Sequence, residues 1–164
     1  MKHHGDSLKE GDVLMTNSPH AGGSYVDLVF YFIFTCKLTS LSFSHLPDIT
    51  IITPVFDSKT KEIIFFTASR GHHADIGGIL PGSMPPTSVN IFEEGAEIVS
   101  FKIVDGGVFD RDGLIDYMVT KPAQYPSSSG CRNIRDVESD LKAVSNFLKH
   151  LSLGLNSFST ANRG

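Results

Sequence analysis

Along most of this chain, hydrophobic positions come in short β-branched and aromatic runs broken by Gly, Pro, Ser and Asp, a pattern that predicts short strands joined by turns. Val13-Leu14-Met15, after Gly11-Asp12, reads as a first strand. It is closed by Asn17-Ser18-Pro19-His20-Ala21-Gly22-Gly23-Ser24, whose glycines permit positive φ and close backbone approach. Residues 48–56 (DITIITPVF) and 62–69 (EIIFFTAS) flank the polar turn Asp57-Ser58-Lys59-Thr60-Lys61 and predict the clearest hairpin in the chain. Residues 98–104 resemble a further strand, 112–118 a short helix, and 122–130 a flexible linker. Between them, 70–90 (RGHHADIGGILPGSMPPTSVN) is a loop too long to serve only as a connection, which marks it as functional. Near the C-terminus the period changes: Ile134, Val137, Leu141, Val144, Leu148 and Leu151 recur at alternating three- and four-residue steps and predict one amphipathic helix. The fold class is therefore α+β, mainly β, with a central antiparallel hairpin and a C-terminal helix.

Composition narrows the setting. The chain has 164 residues, 40% hydrophobic and 20% charged, which suits one globular domain and is too apolar for intrinsic disorder. Acidic residues outnumber basic ones, 18 to 14, for a net charge of −4, so the basic excess of a phosphate-tracking protein is missing and no nucleic acid partner is expected. The most apolar stretch, Leu28 to Phe34 within residues 25–44, falls well short of the roughly 20 residues a membrane helix needs, and a buried strand is the expectation. Two cysteines, Cys36 and Cys131, lack disulfide-framework or C-x-x-C spacing, and Met1-Lys2-His3-His4 is not followed by a signal-peptide core. A cytoplasmic location follows as the expectation.

Candidate chemistry gathers around the hairpin. Six of the seven histidines lie in the first 73 residues, and His20, His45, His72 and His73 flank the hairpin or its preceding turn together with Asp48 and Asp75. His45-Leu46-Pro47-Asp48 enters one strand and His72-His73-Ala74-Asp75 leaves the other, so antiparallel pairing brings the two groups to one end of the sheet. Imidazole nitrogens and a carboxylate oxygen suit a borderline divalent cation, and two His plus one Asp leave positions open for water or substrate. The same residues also fit solvent-exposed turn histidines, and no H-E-x-x-H pattern decides between the two. No P-loop or dinucleotide glycine fingerprint is present, nor is a G-x-S-x-G nucleophile context.

Four segments carry a family resemblance: EGDVLMTNSPHAGGS, HLPDITIITPVFD, FFTASRGHHADIGGILPGSMPP and FEEGAEIVSFKIVDGGVF. In this order, they resemble the hydantoinase B half of ATP-dependent 5-oxoprolinases, and the likeness continues more loosely through 129–143. The resemblance implies a partial hydantoinase B-type domain over residues 1–164, from an enzyme that opens a cyclic amide such as 5-oxo-L-proline to L-glutamate in glutathione turnover. It implies a divalent metal ion, with ATP used by a hydantoinase A-type domain or chain that phosphorylates the amide oxygen before the B half completes hydrolysis. A homo-oligomer is implied for the intact enzyme. Carried over by motif, the metal ligands are His45, Asp48 and His72, and a further acidic ligand would fall upstream of Met1. His73 and Asp75 become candidates for proton transfer or ligand orientation, and Asn17, Gly22 and Gly23 for shaping the substrate turn.

Two departures from the family pattern are visible. Residues 25–44 separate GGS from HLPD, and residues 144–160 separate the helix from a closing Ala161-Asn162-Arg163-Gly164, so both read as insertions. An isolated fragment of this kind is expected to be inactive by itself. A truncated or mis-spliced non-catalytic product is the alternative, and a relative acting on N-methylhydantoin is another.

Overall fold

The structure, a computed structural model, describes residue 4 and residues 7–19, 45–82 and 85–161. Five antiparallel strands form one sheet: β1 (Val13–Thr16), β2 (Asp48–Phe56), β3 (Ile63–His72), β4 (Phe101–Asp105) and β5 (Val108–Phe109), in the order β3-β2-β1-β4-β5. Short helices α1 (Ile91–Glu94) and α2 (Arg111–Ile115) precede a long one, α3 (Ile134–Ala161). The strand predicted within 25–44 lies outside the described residues, as do His20, Gly22 and Gly23.

The hairpin forms where alternation and turn chemistry agree. Asp57 accepts hydrogen bonds from the backbone N–H groups of Lys59 (2.8 Å) and Thr60 (3.0 Å), and Lys61 takes a positive φ of 62° to close the turn. Pairing then runs from Phe56 opposite Ile63 to Asp48 opposite His72, so β3 extends three residues beyond the strand read from sequence. Ile49 and Ile51 point to one face and are almost wholly buried, while Ile52 points to the other. The β4–β5 turn is Gly106-Gly107, both at positive φ (56° and 92°), the conformation a two-residue hairpin of matching twist requires.

The main core lies between the sheet and α3. Val13, Met15, Ile49, Ile51 and Ile103 meet Val137, Leu141 and Leu148, with Leu114 and Met118 closing one end. A smaller cluster, Leu8, Leu14 and Phe56 with Ile52, Ile63 and Phe66, occupies the opposite face. The predicted helix at 112–118 is realised as α2, capped by the Asp110 carboxylate accepting from Gly113 N–H, running on into a π-helical turn over Asp116–Thr120. The predicted linker holds a 3₁₀ turn at Pro122–Gln124. The strand expected from residue 98 begins at Phe101, because Ile98 gives both its backbone groups to Asn17.

Candidate metal centre

The β2–β3 register sets the geometry. Asp48 opens β2 directly opposite His72, the last residue of β3, and the turn Leu46-Pro47 folds His45 back over the pair. Asp48 N–H donates to His45 O (3.0 Å), and Pro47 O accepts from the N–H groups of Ile49 (3.1 Å) and His73 (2.9 Å), so backbone from both strands fixes the turn. Three donor atoms converge in consequence. His72 Nδ1 lies 3.0 Å from Asp48 Oδ1 and 3.2 Å from His45 Nε2, and the last two are 3.9 Å apart. The His45 and His72 rings meet edge to face, 5.0 Å between centroids.

These separations can be compared with a coordination shell. Ligands about 2.1 Å from a tetrahedral cation stand about 3.4 Å from one another, within the range of the three distances here. One N–H at His72 Nδ1 can satisfy Asp48 or His45 but not both, whereas a cation among them would engage all three lone pairs. The donor set fits a divalent ion of borderline softness. Access is open on one side: His72 is half exposed, and Asp48 and His45 are more sheltered. Arg70, two residues before His72 and therefore on the same face of β3, brings its Nε to 3.9 Å from Asp48 Oδ2. The sequence reading missed this arginine, although period-two spacing from His72 was the signal that could have found it.

The remaining predicted residues fall elsewhere. His73 is buried, with its pKa pushed down by burial and by the neighbouring His72, while the Asp140 carboxylate on α3 opposes the shift. The Asp75 carboxylate accepts from Gly77 N–H (3.0 Å), Arg132 N–H (2.8 Å) and the Arg132 guanidinium (3.2 Å), which ties the loop after β3 to the start of α3. Asn17 is fully buried and bonded only to backbone. Neither His73, Asp75 nor Asn17 belongs to the converging set of donor atoms. Among the described residues, no helix is long and apolar enough to cross a membrane.

Comparisons with known proteins agree with the family resemblance of the four sequence segments. The model of the Hydantoinase B/oxoprolinase family matches residues 33–151. The chain is 49% identical to 5-oxoprolinase 1 of Arabidopsis thaliana over 87% of its own length, and 48% identical to 5-oxoprolinase of Saccharomyces cerevisiae over 83%. It spans about a tenth of the length of those relatives (10% and 9%). Among solved structures, the ATP-dependent caprolactamase from Pseudomonas jessenii shares the fold, with a TM-score of 0.60 at 24% identity over 93% of this chain and 21% of that one.

Proposed function

The chain belongs to the hydantoinase B/oxoprolinase family, and from that premise we propose that it carries the metal-ligand face of a cyclic-amide hydrolase. The observation that supports this best is the convergence of His45 Nε2, Asp48 Oδ1 and His72 Nδ1 within 4.8 Å of one another. In this reading, the substrate is a small lactam such as 5-oxoproline, activated with ATP by a hydantoinase A-type partner in cytosolic glutathione turnover. Ring opening belongs to the assembled enzyme, to which this chain contributes the ligand set.

A divalent ion held there would act as a Lewis acid and lower the pKa of a bound water. The chain's own groups do the rest. Both ring nitrogens must be unprotonated to offer lone pairs, and Asp48 supplies the one negative charge of the set. Arg70, on the side of the second Asp48 oxygen, orients that carboxylate. His73 steadies the turn through its backbone N–H to Pro47 O, and Asp75 fixes the loop that follows.

Titration of the purified 164-residue chain with Zn²⁺ by calorimetry tests the reading. One ion should bind per chain, raise the unfolding temperature and release protons in proportion to the protonated histidine present. His45→Ala and Asp48→Asn should each weaken binding by more than about 100-fold, beyond what loss of an outer partner costs. Equal affinity in wild type and both variants would show that the three residues are not the ligands.

A further inference from the structure

Asn17 stands immediately after β1, with no solvent exposure and every polar atom of its side chain engaged. Its Oδ1 accepts from Ile98 N–H at 2.7 Å. Its Nδ2 donates to Leu46 O at 2.7 Å and to Ala96 O at 2.8 Å. Its own backbone N–H donates to Ile98 O at 3.0 Å. The amide can take only one orientation: turned over, its oxygen would face two carbonyls and its NH₂ a third donor. Three segments distant in sequence are thus locked at one point, and one of them, Leu46, is the residue between His45 and the Pro47-Asp48 corner.

We infer that Asn17 is a positioning residue that holds the His45-x-x-Asp48 turn in the geometry that brings His45 Nε2 and Asp48 Oδ1 together. It touches neither ligand side chain and acts through the carbonyl of Leu46. The amide is thus a side-chain tether from the end of β1 to the backbone of the turn. A glutamine would overreach, and an aspartate would set an oxygen against the Leu46 and Ala96 carbonyls while keeping the bond from Ile98. Asparagine alone among side chains of this size presents two donors and one acceptor in this fork. The importance of the brace for metal binding rests on the reading proposed above; the brace itself does not.

Two measurements on the full chain separate those dependencies. Amide hydrogen exchange, without added metal, compares wild type with Asn17→Asp. The Asp48, Ile49 and His73 amides should exchange about tenfold faster or more in the variant, while amides of the Thr53–Thr67 region of the hairpin keep their protection. A residue that only supports global stability would lower protection everywhere alike. That uniform result, or unchanged exchange at the turn, would overturn the inference. If Asn17→Asp does not fold cooperatively, Asn17→Ser, which retains one donor, should show a smaller loss confined to the same amides. In parallel, Co²⁺ binding followed by its visible absorption should weaken about tenfold in Asn17→Asp. Absent Co²⁺ binding in wild type would count against the ligand set and leave the exchange result to decide on Asn17. Normal Co²⁺ affinity in a variant with a loosened turn would show that the brace does not serve the site.

Discussion

At the scale of single residues, buried polar groups tie this small sheet together, and Asp12 is the sharpest case. It is fully buried, accepts from the backbone of Lys9 (3.0 Å) and Gly106 (2.7 Å), and pairs with Lys102 Nζ at 2.8 Å. Asp12→Ala would orphan two N–H groups and a sheltered ammonium, although Lys102 keeps Ser7 O at 3.3 Å and Asp105 at 3.7 Å. The expected cost is about 2–3 kcal/mol in urea unfolding, toward the low end for breaking a buried pair. Asp12→Asn should lose less. Cys131 offers a second check. Burial pushes its thiol pKa up, the Asp75 charge adds to this while Arg132 opposes it, and the protonated sulfur donates to Asp75 O at 3.1 Å. Since the folded pKa lies above the unfolded one, the thiol's contribution to stability is complete below the ordinary thiol range and fades as pH climbs through the folded value. Native Cys131 should therefore react with iodoacetamide far more slowly than the unfolded chain at pH 8, and mass spectrometry of the alkylated protein measures this directly. Equal rates would mean that the thiol is not held in this environment. Residues like these were not legible in sequence. Asp12 meets Gly106 across 94 positions and Asn17 meets Ile98 across 81, separations for which a local pattern carries no signal. His45, Asp48 and His72 were legible as neighbours because a single hairpin register joins them.

Among the elements, the hairpin and the long helix were readable from their patterns and β1 and α2 from their flanking signals, whereas β5 and α1 were not. The hairpin combines alternation over nine and ten residues with an aspartate that caps its own turn. By contrast, β5 has two residues and α1 four, about a single period of the strand or helix repeat, and α1 forms because Asn90 accepts from Phe92 and Glu93 N–H. The start of β4 shifted for a tertiary reason, the capture of Ile98 by Asn17. The helix stripe gives the element-scale prediction. Val137, Leu141 and Leu148 are buried against the sheet, whereas Leu151 is 42% exposed and Phe147 65% exposed. Leu141→Ala should therefore cost about 3 kcal/mol and Leu151→Ala less than about 0.5 kcal/mol. Leu148→Ala is the informative variant, because it lies in the segment 144–160 that the sequence reading set apart as an insertion. A cost within about 1 kcal/mol of Leu141→Ala in denaturant unfolding would make that turn of α3 part of the cooperative unit. A negligible cost would confine the core to the helix before residue 144.

At the scale of the whole molecule, the described residues are arranged one-sidedly. Among them, helix α3 covers one face of the sheet with most of the core, while the other face carries the small Leu8, Leu14, Phe56 cluster and, at its end, the converging His45, Asp48 and His72 side chains. Among the described residues β3 is also an edge strand, ten residues long, and from Ile63 to Ser69 it bears no charge and no proline. Natural edges are usually guarded by such residues, because a row of unpaired N–H and C=O groups on an apolar strand templates pairing with another chain. The net charge of −4 on 164 residues offers only modest repulsion against this. The purified chain should accordingly self-associate as concentration rises, with sedimentation velocity showing mass above the monomer. Ile64 is the place to test the cause: it sits at the register shift opposite Val55 and Phe56 and belongs to neither hydrophobic cluster. Ile64→Lys should return the chain to monomer with a stability change within about 1 kcal/mol, since a single lysine on an edge disfavours strand pairing without emptying a core position. If Ile64→Lys still associates while a charge placed at Phe66 abolishes it, then the sticky surface is the sheet face that carries Leu14 and Phe56, and the edge is not the cause.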